Sequence, residues 1–232
     1  MKYNPPAVIL TGDTNLLNQF FTGSFSDDLA TKGSFLIDLI GTGVSSRNNT
    51  KTNEFDRAAY YYDGVDINLS GIAANDEPMN QISCQENLLT WSEAALRASA
   101  SNFDVSLEKL NEHRANLRNG VYFPATSGVY DDYAEADFEA GGIENADSSL
   151  SKEDALLREI IEERYVTFFA DILSFNDIRK NEKDATALQV PVPFNTGSQR
   201  PQRFLYPFDE ENTNAANVPD VVDVFVKTQV NQ

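Results

Sequence analysis

The chain has 232 residues, an apolar fraction of 41% and 18 basic against 36 acidic residues, for a formal charge of -18. That length can bury one large core or two small ones, and the charge repels phosphate backbones and anionic lipid headgroups, which argues against nucleic acid as a partner. With one cysteine, Cys84, and one histidine, His113, the chain can form neither an internal disulfide nor the usual Cys/His zinc site.

No apolar run nears the roughly 20 residues of a membrane span, and the start Met1-Lys2-Tyr3-Asn4-Pro5-Pro6 lacks the apolar core of a signal peptide. These features fit either a cytoplasmic protein or a piece of something longer whose targeting segment lies elsewhere. Residues 1 to about 80 are rich in Gly, Asn, Thr, Asp and Tyr, with short apolar clusters at Phe35-Leu36-Ile37 and Leu39-Ile40. They read as loops with two short helices.

From Gln85 to Ala98, Leu88, Leu89, Trp91, Ala95 and Leu96 recur at helical intervals and predict an amphipathic helix with Trp91 in the core. Leu107, Leu110, Arg114 and Leu117 repeat the spacing up to Asn119-Gly120, whose glycine suits the left-handed position that closes a helix. The pair forms an antiparallel hairpin, with His113 as a structural histidine near its apolar edge. Val121 to Ser149 reads as a surface loop. Within it Tyr130-Asp131-Asp132-Tyr133 could line a pocket or bind calcium, yet lacks the glycine and terminal glutamate of an EF-hand, so a solvated acidic loop is expected.

Ser151, three residues before Asp154, starts a long helix. Its apolar stripe is Leu157, Ile161, Tyr165, Phe168, Phe169 and Ile172, and Arg158 and Glu162 are spaced for an ion pair on the opposite side. Consecutive helix residues diverge by about 100°, so Glu162-Glu163 cannot flank one bond as a catalytic pair. With Arg164 they read as ion-pair partners. Prolines 191, 193, 201, 207 and 219 then exclude further regular helix and predict an extended tail.

Four segments in this order resemble the SusD/RagB family of outer-membrane nutrient-binding lipoproteins. They are Gln85-Glu86-Asn87-Leu88-Leu89-Thr90-Trp91-Ser92-Glu93-Ala94-Ala95-Leu96-Arg97; Leu110-Asn111-Glu112-His113-Arg114; Ile160 to Phe169 with Phe175-Asn176-Asp177-Ile178-Arg179-Lys180; and Pro201-Gln202-Arg203-Phe204-Leu205-Tyr206-Pro207 with Glu211-Asn212-Thr213-Asn214 and Val218-Pro219. Ser92 stands where the family has alanine, His113 where valine or isoleucine is commoner, and Phe175 where tryptophan is frequent. The match covers residues 80 to 220, and residues 1 to 80 agree only in texture.

The resemblance implies a mainly α, SusD-like fold of tetratricopeptide-like helix pairs with long irregular loops and an extended Pro-rich C-terminal tail. The chain would be one C-terminal domain over residues 1–232: a variable ligand-side region (1–84), a helical signature region (85–180) and the tail (181–232). Family members are about twice as long and begin with a lipoprotein signal and helical repeats, so this chain resembles the C-terminal half. Any membrane attachment would come from a lipid anchor outside it. The implied function is non-catalytic capture of an oligosaccharide or similar nutrient at the outer-membrane surface, for delivery to a SusC-like TonB-dependent transporter, with no cofactor and no metal.

Glycan capture needs aromatic faces for sugar rings and planar polar groups for hydroxyls. Arg47, Asn48 and Asn49 with Tyr60, Tyr61, Tyr62 and Asp63 supply both in loop-like sequence and are the candidate ligand residues. The competing reading makes the tyrosines core residues of a short strand. Two other functions stay open: a glycoside hydrolase using two of the many carboxylates, and a scaffold that docks on a transporter without a ligand of its own.

Overall fold

Three helices of ten residues or more begin at side-chain caps, and the rest of the described chain wraps around them. The computed structural model describes residues 35–41, 46–61, 83–169, 171–192, 199–203, 208–218 and 223–227. They are mainly helical. Two short helices, α1 (Phe35–Ile40) and α2 (Phe55–Tyr61), flank the short strand β1 (Thr52–Asn53). The hairpin follows as α3 (Cys84–Ala98) and α4 (Phe103–Arg118).

Ser83 caps α3 by accepting from the amide of Glu86 at 3.0 Å. The hairpin turns at Ser99–Asn102, where Asn102 Nδ2 donates to the carbonyl of Ala95. Its two arms meet at a reciprocal pair: Ser92 Oγ donates to the Ser106 carbonyl at 2.7 Å, and Ser106 Oγ to the Ser92 carbonyl at 2.8 Å. Two small side chains let the backbones approach while every hydroxyl is satisfied. Gly120 closes α4 at φ 69°, the left-handed conformation expected for it.

Ser92 at the crossing moves the buried face of α3 to Leu88, Leu89, Ser92 and Leu96. At about 100° per residue Trp91 falls outside it. Contrary to the expected core position, Trp91 is 51% exposed, and the Lys109 ammonium of α4 lies 4.7 Å from its ring centroid.

Helix α5 (Lys152–Thr167) is the central element. Ser151 caps it by accepting from the Asp154 amide, as its spacing predicts. Burial is not confined to one stripe, since Ala155, Leu156, Leu157, Ile160, Ile161 and Val166 are buried together with Glu159, Glu163 and Arg164. The helix also ends earlier than its stripe suggests. Asp171 caps a separate helix α6 (Ile172–Asn181) by accepting from Leu173 N at 2.9 Å, which leaves Ile172 51% exposed.

The segment after α4 is not the solvated loop expected from its acidity. Its strand β2 (Val129–Tyr130) pairs antiparallel with β1, Thr52 opposite Tyr130 and Asn53 opposite Val129. Phe123, Tyr130, Tyr133, Phe138 and Asn145 are buried, while Asp131 and Asp132 stay in solvent. Phe138 packs edge-on against Phe103 and Tyr133, so the burial comes from contacts distant in sequence. Gly142 is needed here, because a Cβ would stand 2.4 Å from the carbonyl oxygens of Ala136 and Asp137. The tail also departs from expectation. It carries a 3-10 turn at Thr186–Leu188 and a short helix, α7 (Phe208–Thr213).

Asp56 of α2 ties the two halves of this arrangement. Its carboxylate accepts from Thr126 N at 2.8 Å, Thr126 Oγ1 at 2.5 Å, Ser127 N and Gly128 N at 2.6 Å. Burial opposes its charge, but these donors hold the carboxyl below its ordinary value. Replacing Asp56 by alanine is expected to cost about 2 kcal/mol by stranding three amides. Urea unfolding would read the loss. A depressed carboxyl contributes above its unfolded value and loses that contribution as pH falls, so the difference from wild type is expected to shrink in acid.

Candidate functional site

Glu159, Glu162 and Glu163 lie at i, i+3 and i+4 of α5 and therefore share one side of it. The segment before β1 brings Arg47 onto that side, α2 brings Arg57, and α4 brings His113 and Arg114. Arg47 is the hub. Its Nη1 donates to Glu163 Oε2 at 2.5 Å and Glu54 Oε1 at 2.9 Å, its Nη2 donates to Glu159 Oε1 at 2.7 Å, and its Nε stands 3.3 Å from Glu162 Oε1. Arg57 Nη2 and His113 Nε2 donate to Glu163 Oε1 at 2.7 and 2.8 Å. The Tyr130 hydroxyl donates to Glu54. Arg114 spans Asp131 O, Lys51 O and Thr52 Oγ1, with its guanidinium 3.9 Å from the Tyr133 ring centroid.

The carboxyls of this network split in opposite directions. Burial opposes the charge of Glu163, yet Arg57, Arg47 and His113 hold it well below the usual carboxylate range. For Glu159 burial dominates and pushes the carboxyl well up against the pull of Arg47, with Glu144, Glu162 and Glu163 adding repulsion. Glu162 is raised for the same reasons, burial first. Burial also pulls the His113 imidazole below its ordinary value, against Glu163. The ring stacks on Tyr122 with centroids 5.7 Å apart.

The outer side of the network opens into a cleft of about 490 Å³. It is lined by residues 46–49 from the segment before β1, by Glu144, by Arg158, Glu159 and Glu162 of α5, and by residues 186–191. Three predicted ligand residues thus meet at one cavity, although their polar groups are used internally. Asn48 donates to Gly41 O and accepts from Glu54 N. Asn49 donates to Glu144 Oε1 and accepts from Lys51 N and Thr52 N.

Tyr60 and Tyr61 belong to α2, neither a loop nor a strand, and do not line the cleft. Tyr60 stacks on Phe123 with centroids 5.6 Å apart. Tyr61 is 5% exposed, and its hydroxyl donates to the Val166 carbonyl at 2.6 Å. Tyr62 and Asp63 lie outside the described residues.

The groups with spare capacity at the cleft are ones the sequence reading placed elsewhere. Arg158 and Glu162 make no hydrogen bond to each other, although the Arg158 guanidinium attracts the Glu162 carboxylate: Arg158 donates to the Glu144 carbonyl, and Glu162 accepts no hydrogen bond from the described residues. Their four-residue spacing was the available signal, since two charges on the same side of a helix can serve a shared ligand as well as each other. Among the described residues no cluster of His, Cys, Asp and Glu is arranged to hold a metal ion, and no helix is long and apolar enough to cross a membrane. The site defines a polar cleft backed by a buried ion-pair network in a mainly helical protein. Compared with models of known protein families, with characterised proteins and with solved structures, the chain matches none.

Proposed function

We propose that this protein is a non-catalytic glycan-binding protein of the SusD/RagB kind, which holds an oligosaccharide at the outer-membrane surface for delivery to a TonB-dependent transporter. The observation that carries the reading is the cleft, where Arg158 offers donors and Glu162 an acceptor to a ligand with many hydroxyls. The ordered run of four family-like segments supports the same reading, and the α3–α4 hairpin is the element to be equated with a tetratricopeptide-like pair.

Isothermal titration against a panel of oligosaccharides tests the proposal. At least one neutral oligomer is expected to bind without release of reducing ends. Arg158→Ala is expected to weaken that binding about tenfold, the worth of one charged hydrogen bond, with an unchanged melting temperature. Indifference to every glycan would overturn the proposal, and steady release of reducing ends would favour a hydrolase.

A further inference from the structure

The cleft is not neutral. Around it and in the network behind it the carboxylates of Glu54, Glu144, Glu159, Glu162 and Glu163 face the guanidinium groups of Arg47, Arg57, Arg114 and Arg158, one fewer in number. The chain around them carries a formal charge of -18, so no background positive field offsets the surplus.

That surplus meets the cavity at one residue. The side chains of Glu54, Glu159 and Glu163 are 0%, 4% and 1% exposed and are held by arginines. Glu144 already accepts from Asn49 and from the Tyr133 hydroxyl at 2.6 Å. Glu162 is 24% exposed, lines the cleft and has Arg47 Nε at 3.3 Å as its ion-pair partner. Burial pushes its carboxyl upward, with Glu144 and Glu163 adding to the shift against the pull of Arg47 and Arg158, and no described residue donates a hydrogen bond to it. A hydrogen-bonding cation delivered to this position would meet a partly exposed carboxylate whose acceptor capacity no described residue uses. One turn away, Arg158 remains as a donor for hydroxyl or ring oxygens, so the complement is a sugar unit with one positive group.

We infer that the cleft selects an oligosaccharide bearing a free primary amine, a deacetylated hexosamine unit, with its ammonium on Glu162 and its hydroxyls on Arg158. The inference rests on the glycan-binding reading above and names the ligand class of the same site. Acetylation would remove the charge and replace a compact ammonium with a bulkier neutral amide.

The test is titration of three oligomers of equal length, built from glucosamine, N-acetylglucosamine and glucose, in mildly acidic buffer that keeps the sugar amines protonated and at about 0.15 M salt to screen distant charges. The glucosamine oligomer is expected to bind about tenfold more tightly than its acetylated counterpart. Glu162→Gln is expected to abolish that difference, lowering the affinity for the glucosamine oligomer to that for its acetylated counterpart, with an unchanged circular dichroism spectrum certifying the fold. Glu108→Gln removes the same unit of charge at a 70% exposed side chain outside the cleft and is expected to change nothing. Equal affinity for the aminated and acetylated oligomers overturns the inference and leaves glycan binding standing. Loss of the preference in Glu108→Gln also overturns it, because the diffuse field of the protein would then be responsible. Failure of all three oligomers to bind overturns the inference, and glycan binding is then decided by the wider panel.

Discussion

Arg47→Met is expected to destabilise the protein by about 3–5 kcal/mol, the range for removing one partner from a buried ion pair, and to lower its melting temperature on the order of 10 °C. Methionine retains most of the aliphatic stem, so the loss reports the guanidinium and not a cavity. That one group compensates Glu54, Glu159 and Glu163, each essentially inaccessible to water, and also faces Glu162. Its removal strands several carboxylates at once. Arg57 remains to hold Glu163 and Glu54, which limits the damage there. Glu159 loses its closest cation, with Arg114 next at 3.9 Å.

The deficit carries a pH signature. Glu159, which burial already raises above its ordinary value of 4.5, then favours the fold in acid and loses that contribution as pH rises. The gap between Arg47→Met and wild type is therefore expected to be widest at neutral pH and to narrow toward pH 4.5. Urea midpoints at a series of pH values would measure it. A gap that stayed constant would assign the loss to packing and not to charge.

The helices were legible because they rest on local signals. Ser151 and Gly120 are caps whose effect spans three or four residues, and the spacing of Leu110 and Leu117 follows the helix itself. Where an element owes its position to distant contacts, the local pattern misleads. Tyr130-Asp131-Asp132-Tyr133 looks like a solvated acidic run, yet strand alternation sends Tyr130 under the β1 pairing while Tyr133 packs against Phe138. Trp91 was misplaced because an apolar stripe tolerates a shift of one position, and the small pair Ser92 and Ser106 chose the crossing.

The site was half legible. Residues 47 to 49 do reach a cavity, but a sequence cannot say whether an asparagine amide faces solvent or its own backbone. Asn49 accepting from Lys51 N and Thr52 N is a turn of the kind asparagine commonly makes, so the Asn-Asn-Thr-Lys run carried that alternative. The charge network was hidden for a different reason. Arg47, Arg57, His113 and Glu163 come from four separate stretches and converge only when α4 and α5 pack, which no spacing rule anticipates.

Glu159 and Glu163 offer the sharpest check on that network, because they are one helical turn apart, share Arg47 and should respond to the same substitution with opposite sign. Glu163→Gln is expected to cost about 3 kcal/mol at neutral pH, since it removes the charge that compensates Arg57 and Arg47 deep in the core. Glu159→Gln is expected to stabilise on the order of 1 kcal/mol, since its carboxyl is raised by burial and by the repulsion of Glu144, Glu162 and Glu163, and a neutral amide can still accept from Arg47 Nη2. The linkage signs follow. The depressed Glu163 contributes stability above its unfolded value and loses it as pH falls, whereas the raised Glu159 favours the fold in acid and loses that as pH rises. Both differences from wild type are therefore expected to diminish toward acid, one from below and one from above. Paired denaturation curves of the two variants would show this convergence. Equal destabilisation by both would mean that the four-residue step along α5 does not separate a depressed carboxyl from a raised one.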